Sequence, residues 1–232
     1  PLMLALSLTY IQFQKTLEQE AVKLENQLAA TASTKVKTFI VSQVGILDTI
    51  ATLYDQEFAS PRGSSQQIVD NILYRSENLT NISIVDKTGE EIIKSDRILV
   101  YQENDLGNIA DSEAFKVVET IGLYIGPMYI ENGRPFFTLG RWIVDSQQNF
   151  SGAVFAKVDA KIIPELMINI SKIAGTGGHV FMVNNKGIVA AHPDLSYILG
   201  EKDLSALPII ENIVLGNTNL EVSKKYQNEK GE

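Results

Sequence analysis

The sequence predicts an α+β fold: a long N-terminal helix followed by two antiparallel-sheet modules, the second incomplete. Three observations carry this. From Thr9 to Phe58 there is no proline and a single glycine, Gly45, so nothing there breaks a helix. Beyond Ser65, short apolar runs of period two are joined by tight Gly and Asn turns, which makes their strands antiparallel. One hairpin pattern then occurs twice: Val183-Asn-Asn-Lys-Gly187 echoes Val85-Asp-Lys-Thr-Gly89, 98 residues on.

The first 13 residues, Pro1 to Phe13, are mostly apolar but fall short of the roughly 20 that span a bilayer. They read either as the outer end of a transmembrane helix or as the start of a soluble one, and the stalk that follows favours the first. In that stalk, residues 14–59, Leu17, Ala21, Leu24 and Leu28 form a narrow seam. After Val36 the apolar stripe broadens through Phe39, Ile40, Val44, Leu47, Ile50 and Leu53. The pattern fits a helix paired at first and then packed on a domain. A break near Thr31–Thr34, giving two ordinary helices, is the other reading.

Pro61, Gly63 and the neighbouring serines end this helix, and a short one follows over about 66–76. Strands are predicted over 81–86 and 90–95 around the turn at 87–89, then a helix N-capped by Asp111 and running to about Ile121. Three strands follow, about 124–131, 135–144 and 152–159, then a helix over about 161–173. The second copy has its hairpin, a helix near 207–215 and one strand over 218–226, with its remaining strands beyond Glu232. The modules are thus 60–165 and 166–232.

Chemistry is narrowed mostly by exclusion. Hydrophobic residues make up 44% and charged residues 21%, so the chain buries a core. The formal charge of −8 argues against nucleic acid as a partner, since phosphate recognition needs a basic face. No cysteine is present, and the two histidines, His179 and His192, have no metal-ligand spacing. No catalytic residue, metal or cofactor is expected. Gly175-Thr-Gly-Gly178 follows a helix and opens a strand, the reverse of a phosphate loop, and reads as a tight connection. His192-Pro-Asp194 has no partner constellation for catalysis, and Glu90, Glu91, Glu201 and Asp203 read as surface carboxylates.

Three stretches together resemble the double Cache sensors, extracytoplasmic ligand-sensing regions of bacterial and archaeal transmembrane receptors. They are Asp111-Ser-Glu-Ala-Phe115; the strand series from Tyr124-Ile-Gly-Pro-Met128 through Thr138-Leu-Gly-Arg-Trp-Ile143 to Gly152-Ala-Val-Phe155 and Asp159; and Gly175 to Val183 with Gly187 to Pro193. The resemblance implies PAS-like modules, a small-molecule ligand in the distal one, anchorage in the cell membrane and a homodimer through the N-terminal helix. It further implies output through a histidine kinase or diguanylate cyclase outside this chain, or a chemoreceptor. Amino-acid-sensing members carry an arginine in the helix that here reads Ser112-Glu-Ala-Phe115, and an aspartate where Lys157 stands. An anionic, carboxylate-bearing ligand is therefore expected, held by Arg141 and Lys157 from neighbouring strands. Phe115, Tyr124, Tyr129 and Phe137 are the expected pocket wall. An envelope enzyme using pocket carboxylates, or a ligand-free dimerisation region, are the alternatives.

Overall fold

A computed structural model describes residues 2–57, 62–174, 180–184, 186–207 and 210–211. The chain divides into two compact units, residues 37–162 and residues 1–36 with 163–232.

Helix α1, Leu2–Glu57, is continuous, without the break considered near Thr31. Its 56 residues would extend about 84 Å at 1.5 Å per residue. The buried positions Leu28, Ala32, Val36, Phe39, Gln43, Leu47 and Ile50 recur every three or four residues. Tyr10, Phe13, Leu17 and Leu24 are exposed instead. Among the described residues, α1 is the helix long and apolar enough to cross a membrane, by length and composition.

In the unit 37–162, α2 (Arg62–Arg75) precedes a six-stranded antiparallel sheet of β1 (Leu79–Asp86), β2 (Glu91–Asp96), β3 (Leu123–Ile125), β4 (Tyr129–Glu131), β5 (Arg134–Val144) and β6 (Phe150–Asp159). The spatial order is β2-β1-β6-β5-β3, with β4 also on β5. The single strand expected over 124–131 is therefore two, because Gly126 and Pro127 interrupt it and proline has no N–H for a ladder. Helix α3 (Glu113–Ile121) is capped by Ser112, whose Oγ accepts from Phe115 N–H, and not by Asp111 as the sequence suggested. The β4–β5 turn puts Asn132 and Gly133 at φ 51° and 75°, the mirror-image turn that Asn-Gly favours.

Alternation along each strand divides the sheet into two faces. Ile82, Ile84, Ile93, Leu139, Ile143, Val154, Ala156 and Val158 are buried on the face that meets α1 and α2. Phe137 packs edge-on against Phe39 of α1, with centroids 6.4 Å apart. From β2, the Ser95 hydroxyl donates to Asp70 of α2 at 2.5 Å. Each such burial of a Val, Leu or Ile side chain is worth about 1.5–3 kcal/mol, which makes this face the core of the unit.

In the other unit, α4 (Ile162–Ala174, from residue 163) precedes the hairpin of β7 (Met182–Val183) and β8 (Val189–Ala191), then a short α5 (Ser196–Leu199). The internal repeat holds here in atomic detail. Asp86 Oδ1 accepts from the N–H groups of Thr88 and Glu90, and Asn184 Oδ1 accepts from those of Lys186 and Ile188. Gly89 and Gly187 sit at φ 81° and 82°, where only glycine is unstrained. Ile84 pairs with Ile93 and Val85 with Glu91 around a bulge; Met182 pairs with Ala191 and Val183 with Val189 around the same bulge. The returning loop crosses both hairpins alike, Ile109 N–H donating to Gly89 O and Leu204 N–H to Gly187 O. The glycine run 175–178, most of the expected helix 207–215 and the strand 218–226 lie outside the described residues.

Candidate functional site

The second face of the sheet in the unit 37–162, turned away from α1, carries polar groups where a core would carry aliphatic ones. Register places Asp96, Asn81, Lys157 and Thr138 in one row across β2, β1, β6 and β5. The next row runs Lys94, Ser83, Phe155, Gly140 and Tyr124. Ser83 and Phe155 are buried, and the rest of the polar set is half-buried.

The charges on this face are paired. Lys157 Nζ is 2.6 Å from Glu131 Oε2 and lies over the Phe136 ring at 4.4 Å from its centroid. Lys94 Nζ is 2.8 Å from Glu91 Oε2 and 4.9 Å from the Tyr101 ring centroid. Glu91, expected at the surface, is buried, and the same oxygen accepts from Gly107 N–H at 2.9 Å. That bond fixes the loop after β2 over the face. Asp96 Oδ1 accepts from Ile98 and Leu99 N–H, and Arg134 pairs with Asp159.

The six residues singled out from sequence do not share one site. Tyr124 and Lys157 lie on this face, as does Tyr129, which is exposed beside Phe136 at 6.2 Å. Burial, and then the Glu113 charge, raise the Tyr124 pKa, so its hydroxyl remains protonated and a donor. Phe115 is core, packed with Val85, Val118, Ala153 and Phe155. Phe137 is core on the opposite face, against Phe39. Arg141 is on that opposite face too. Its partner across the strands is Val154, while Thr138 is the partner of Lys157, and three residues of separation reverse the side. Its Nε donates to Asp48 Oδ1 of α1 at 2.5 Å and an Nη to Gly122 O at 3.1 Å. Arg141 and Lys157 therefore do not converge on one anion.

Asn81, Ser83, Lys94, Asp96, Glu131 and Thr138 were missed by sequence reasoning. The signal was present in β1, where Asn81 and Ser83 alternate with Ile82 and Ile84. Among the described residues, no group of three His, Cys, Asp or Glu is placed to hold a metal ion.

Solved structures of similar fold include sensor domains. The ligand-binding domain of a Pseudomonas aeruginosa amino-acid chemoreceptor in complex with GABA matches at TM-score 0.61 and 13% identity, covering 78% of each chain. That of a Campylobacter jejuni chemoreceptor in complex with 4-methylisoleucine matches at 0.63 and 13%, over 83% of this chain and 77% of the other. An extracellular domain assigned to a histidine kinase matches at 0.62 and 17%, over 87% and 82%. A comparison with curated protein sequences finds no match. The family model described as a Cache domain matches residues 13–231, so the chain belongs to the Cache-domain family of signal-transduction sensors.

Proposed function

We propose that this chain is the extracytoplasmic ligand-sensing region of a membrane receptor and that the module of residues 60–165 holds the ligand. The observation that carries this is the polar row Asp96, Asn81, Lys157 and Thr138 on a sheet face whose opposite side packs its aliphatic residues against α1 and α2. The ligand is a small carboxylate. Lys157 and the Thr138 hydroxyl, side by side across two strands, bind it, and it displaces Glu131 from the lysine. The chemoreceptor domains of the same fold carry amino acids or GABA, solutes that include a carboxylate.

Transmission runs through Arg141. Helix α3 leans on the ligand face through Val118 and Phe115, and it ends at Gly122, whose carbonyl Arg141 holds. The same guanidinium holds Asp48 of α1. A ligand that favours one position of α3 thereby favours one position of α1, the stalk helix, whose N-terminal end leads into the membrane. Couplings of this kind are typically about 1–3 kcal/mol. The exposed seam at Leu17 and Leu24 pairs with the same helix of a second subunit.

Thermal melting with a panel of small monocarboxylates tests the ligand site. At 100 times its dissociation constant a ligand adds about 2.7 kcal/mol of stability. Lys157→Ala should abolish the shift and Arg141→Ala should leave it. A shift that survives Lys157→Ala overturns this placement.

A further inference from the structure

Among the asparagines, Asn132 stands apart in both sequence and surroundings. With Gly133 it makes the single Asn-Gly pair of the chain, at the exposed tip of the β4–β5 hairpin. Asparagines in the other turns are tied down. Asn108 Nδ2 donates to Glu90 Oε1 at 2.8 Å, and its Oδ1 accepts from Ala110 N–H. Asn184 Oδ1 accepts from Lys186 and Ile188 N–H. Asn149 donates its N–H to Asp145 Oδ1 at 2.9 Å, and its Nδ2 faces Asp145 Oδ2 at 3.4 Å. The Asn132 carboxamide has no such partner among the described residues and is free to turn through its rotamers.

Gly133 supplies the second half. Asn108, Asn149 and Asn184 are followed by Ile109, Phe150 and Asn185, whose side chains screen their own main-chain nitrogens. A Cβ added at Gly133 would meet nothing within 4 Å. Turn bonds occupy the N–H groups of Gly89, Gln148 and Gly187, and no such bond holds that of Gly133 among the described residues. An unheld carboxamide therefore lies next to an unscreened, unbonded amide nitrogen.

We infer that Asn132 is a site of spontaneous covalent modification, which needs water alone as co-reactant. The Gly133 nitrogen gives up its proton and attacks Asn132 Cγ. The new N–Cγ bond closes a succinimide, the Cγ–Nδ2 bond breaks, and the side-chain nitrogen leaves as ammonia with that proton. Water then opens either ring carbonyl, giving aspartate or isoaspartate, with no change of oxidation state. In isoaspartate the main chain runs through the side-chain methylene, so the two-residue turn that sets Glu131 opposite Arg134 no longer fits. Glu131, which holds Lys157 from that hairpin, loses its fixed place.

The experiment incubates the full folded chain in neutral and in mildly alkaline buffer, with a urea-unfolded sample beside it. Peptide mass spectrometry that separates aspartate from isoaspartate follows each asparagine. Both products should appear at Asn132, at least tenfold faster than at Asn108, Asn149 or Asn184. The rate should rise with pH, because the attacking amide must lose its proton. Gly133→Ala should slow the conversion at least tenfold. Alanine is strained at the φ of 75° found there, so Asn132→Gln, whose longer side chain closes a larger and slower ring, is the second variant and should stay unmodified. The inference is overturned if Asn132 stays intact in the folded chain while the unfolded chain converts, or if it converts no faster than the other three. Aspartate without isoaspartate overturns it too, because direct hydrolysis of the carboxamide gives that product alone.

Discussion

The Arg141 link is open to a double-mutant cycle, because the structure gives its two halves different partners. Asp48→Ala removes one ion pair whose side chains are 31% and 48% exposed for Arg141 and Asp48. Solvent screens a pair at that depth, so the loss should be about 0.5–1 kcal/mol. Arg141→Ala removes the same pair and also the charged donor to Gly122 O, a hydrogen bond of the kind worth about 1.5–3 kcal/mol. Arg141→Ala should therefore be the more damaging change by about 1.5–3 kcal/mol. Urea melts of the four proteins give both numbers, and the coupling between the two positions should match the loss in Asp48→Ala. In the full receptor, either single change should uncouple output from ligand while carboxylate binding persists. Equal destabilisation by the two single variants would refute the claim that Arg141 also holds the end of α3. Normal signalling in both would refute the route to α1.

Other expectations follow from particular contacts. At Gly140 an added Cβ would lie 2.5 Å from Phe155 Cε1 and 2.6 Å from Val118 Cγ2, so Gly140→Ala should overpack the seat of α3 and destabilise by about 1–3 kcal/mol in denaturant melts. Burial opposes the charge on Asp86, but the Thr88 hydroxyl, the N–H groups of Thr88 and Glu90 and the nearby Lys87 outweigh it and set its pKa below the usual carboxylate value. Its contribution to stability is thus present above the ordinary Asp range and is lost as pH falls through the lower folded value. Asp86→Asn retains the Oδ1 acceptor, as Asn184 does in the second hairpin, and should flatten that acid limb in pH-dependent melts while the fold persists. Leu24, 43% exposed, should tolerate Leu24→Glu without loss of melting temperature. Crosslinking of the full receptor should then report less dimer; unchanged dimer would exclude this seam as the interface.

The hairpins were legible because their chemistry is local. A side-chain oxygen at Asp86 or Asn184 reaches backbone N–H groups two and four residues on, and a glycine supplies the left-handed residue, so the requirement is written within five consecutive positions. The length of α1 was legible for the same reason. The site was not, because the face a strand residue occupies depends on register with strands far away. Arg141 and Lys157 look like neighbours on adjacent strands until the Thr138–Lys157 pairing is known. The cap of α3 was ambiguous at the level of residue type, since Asp111 and Ser112 are both good N-caps and only the backbone decides that Ser112 reaches Phe115.

That division between local and distant information bears on how the two modules differ. The Asx turn, the left-handed glycine, the bulge and the crossing loop are set within each hairpin and its return, and they survive in both copies. The side chains that project from this frame are under no such local constraint: Ser83, Glu91 and Lys94 in one copy stand where Phe181, Val189 and His192 stand in the other. Replacing the Lys94–Glu91 pair by His192 and a buried Val189 changes both members of the pair together. Changing either alone would leave a half-buried charge without its partner, the outcome most costly to the fold. The turn frame tolerates that exchange because none of its own hydrogen bonds runs through the exchanged side chains.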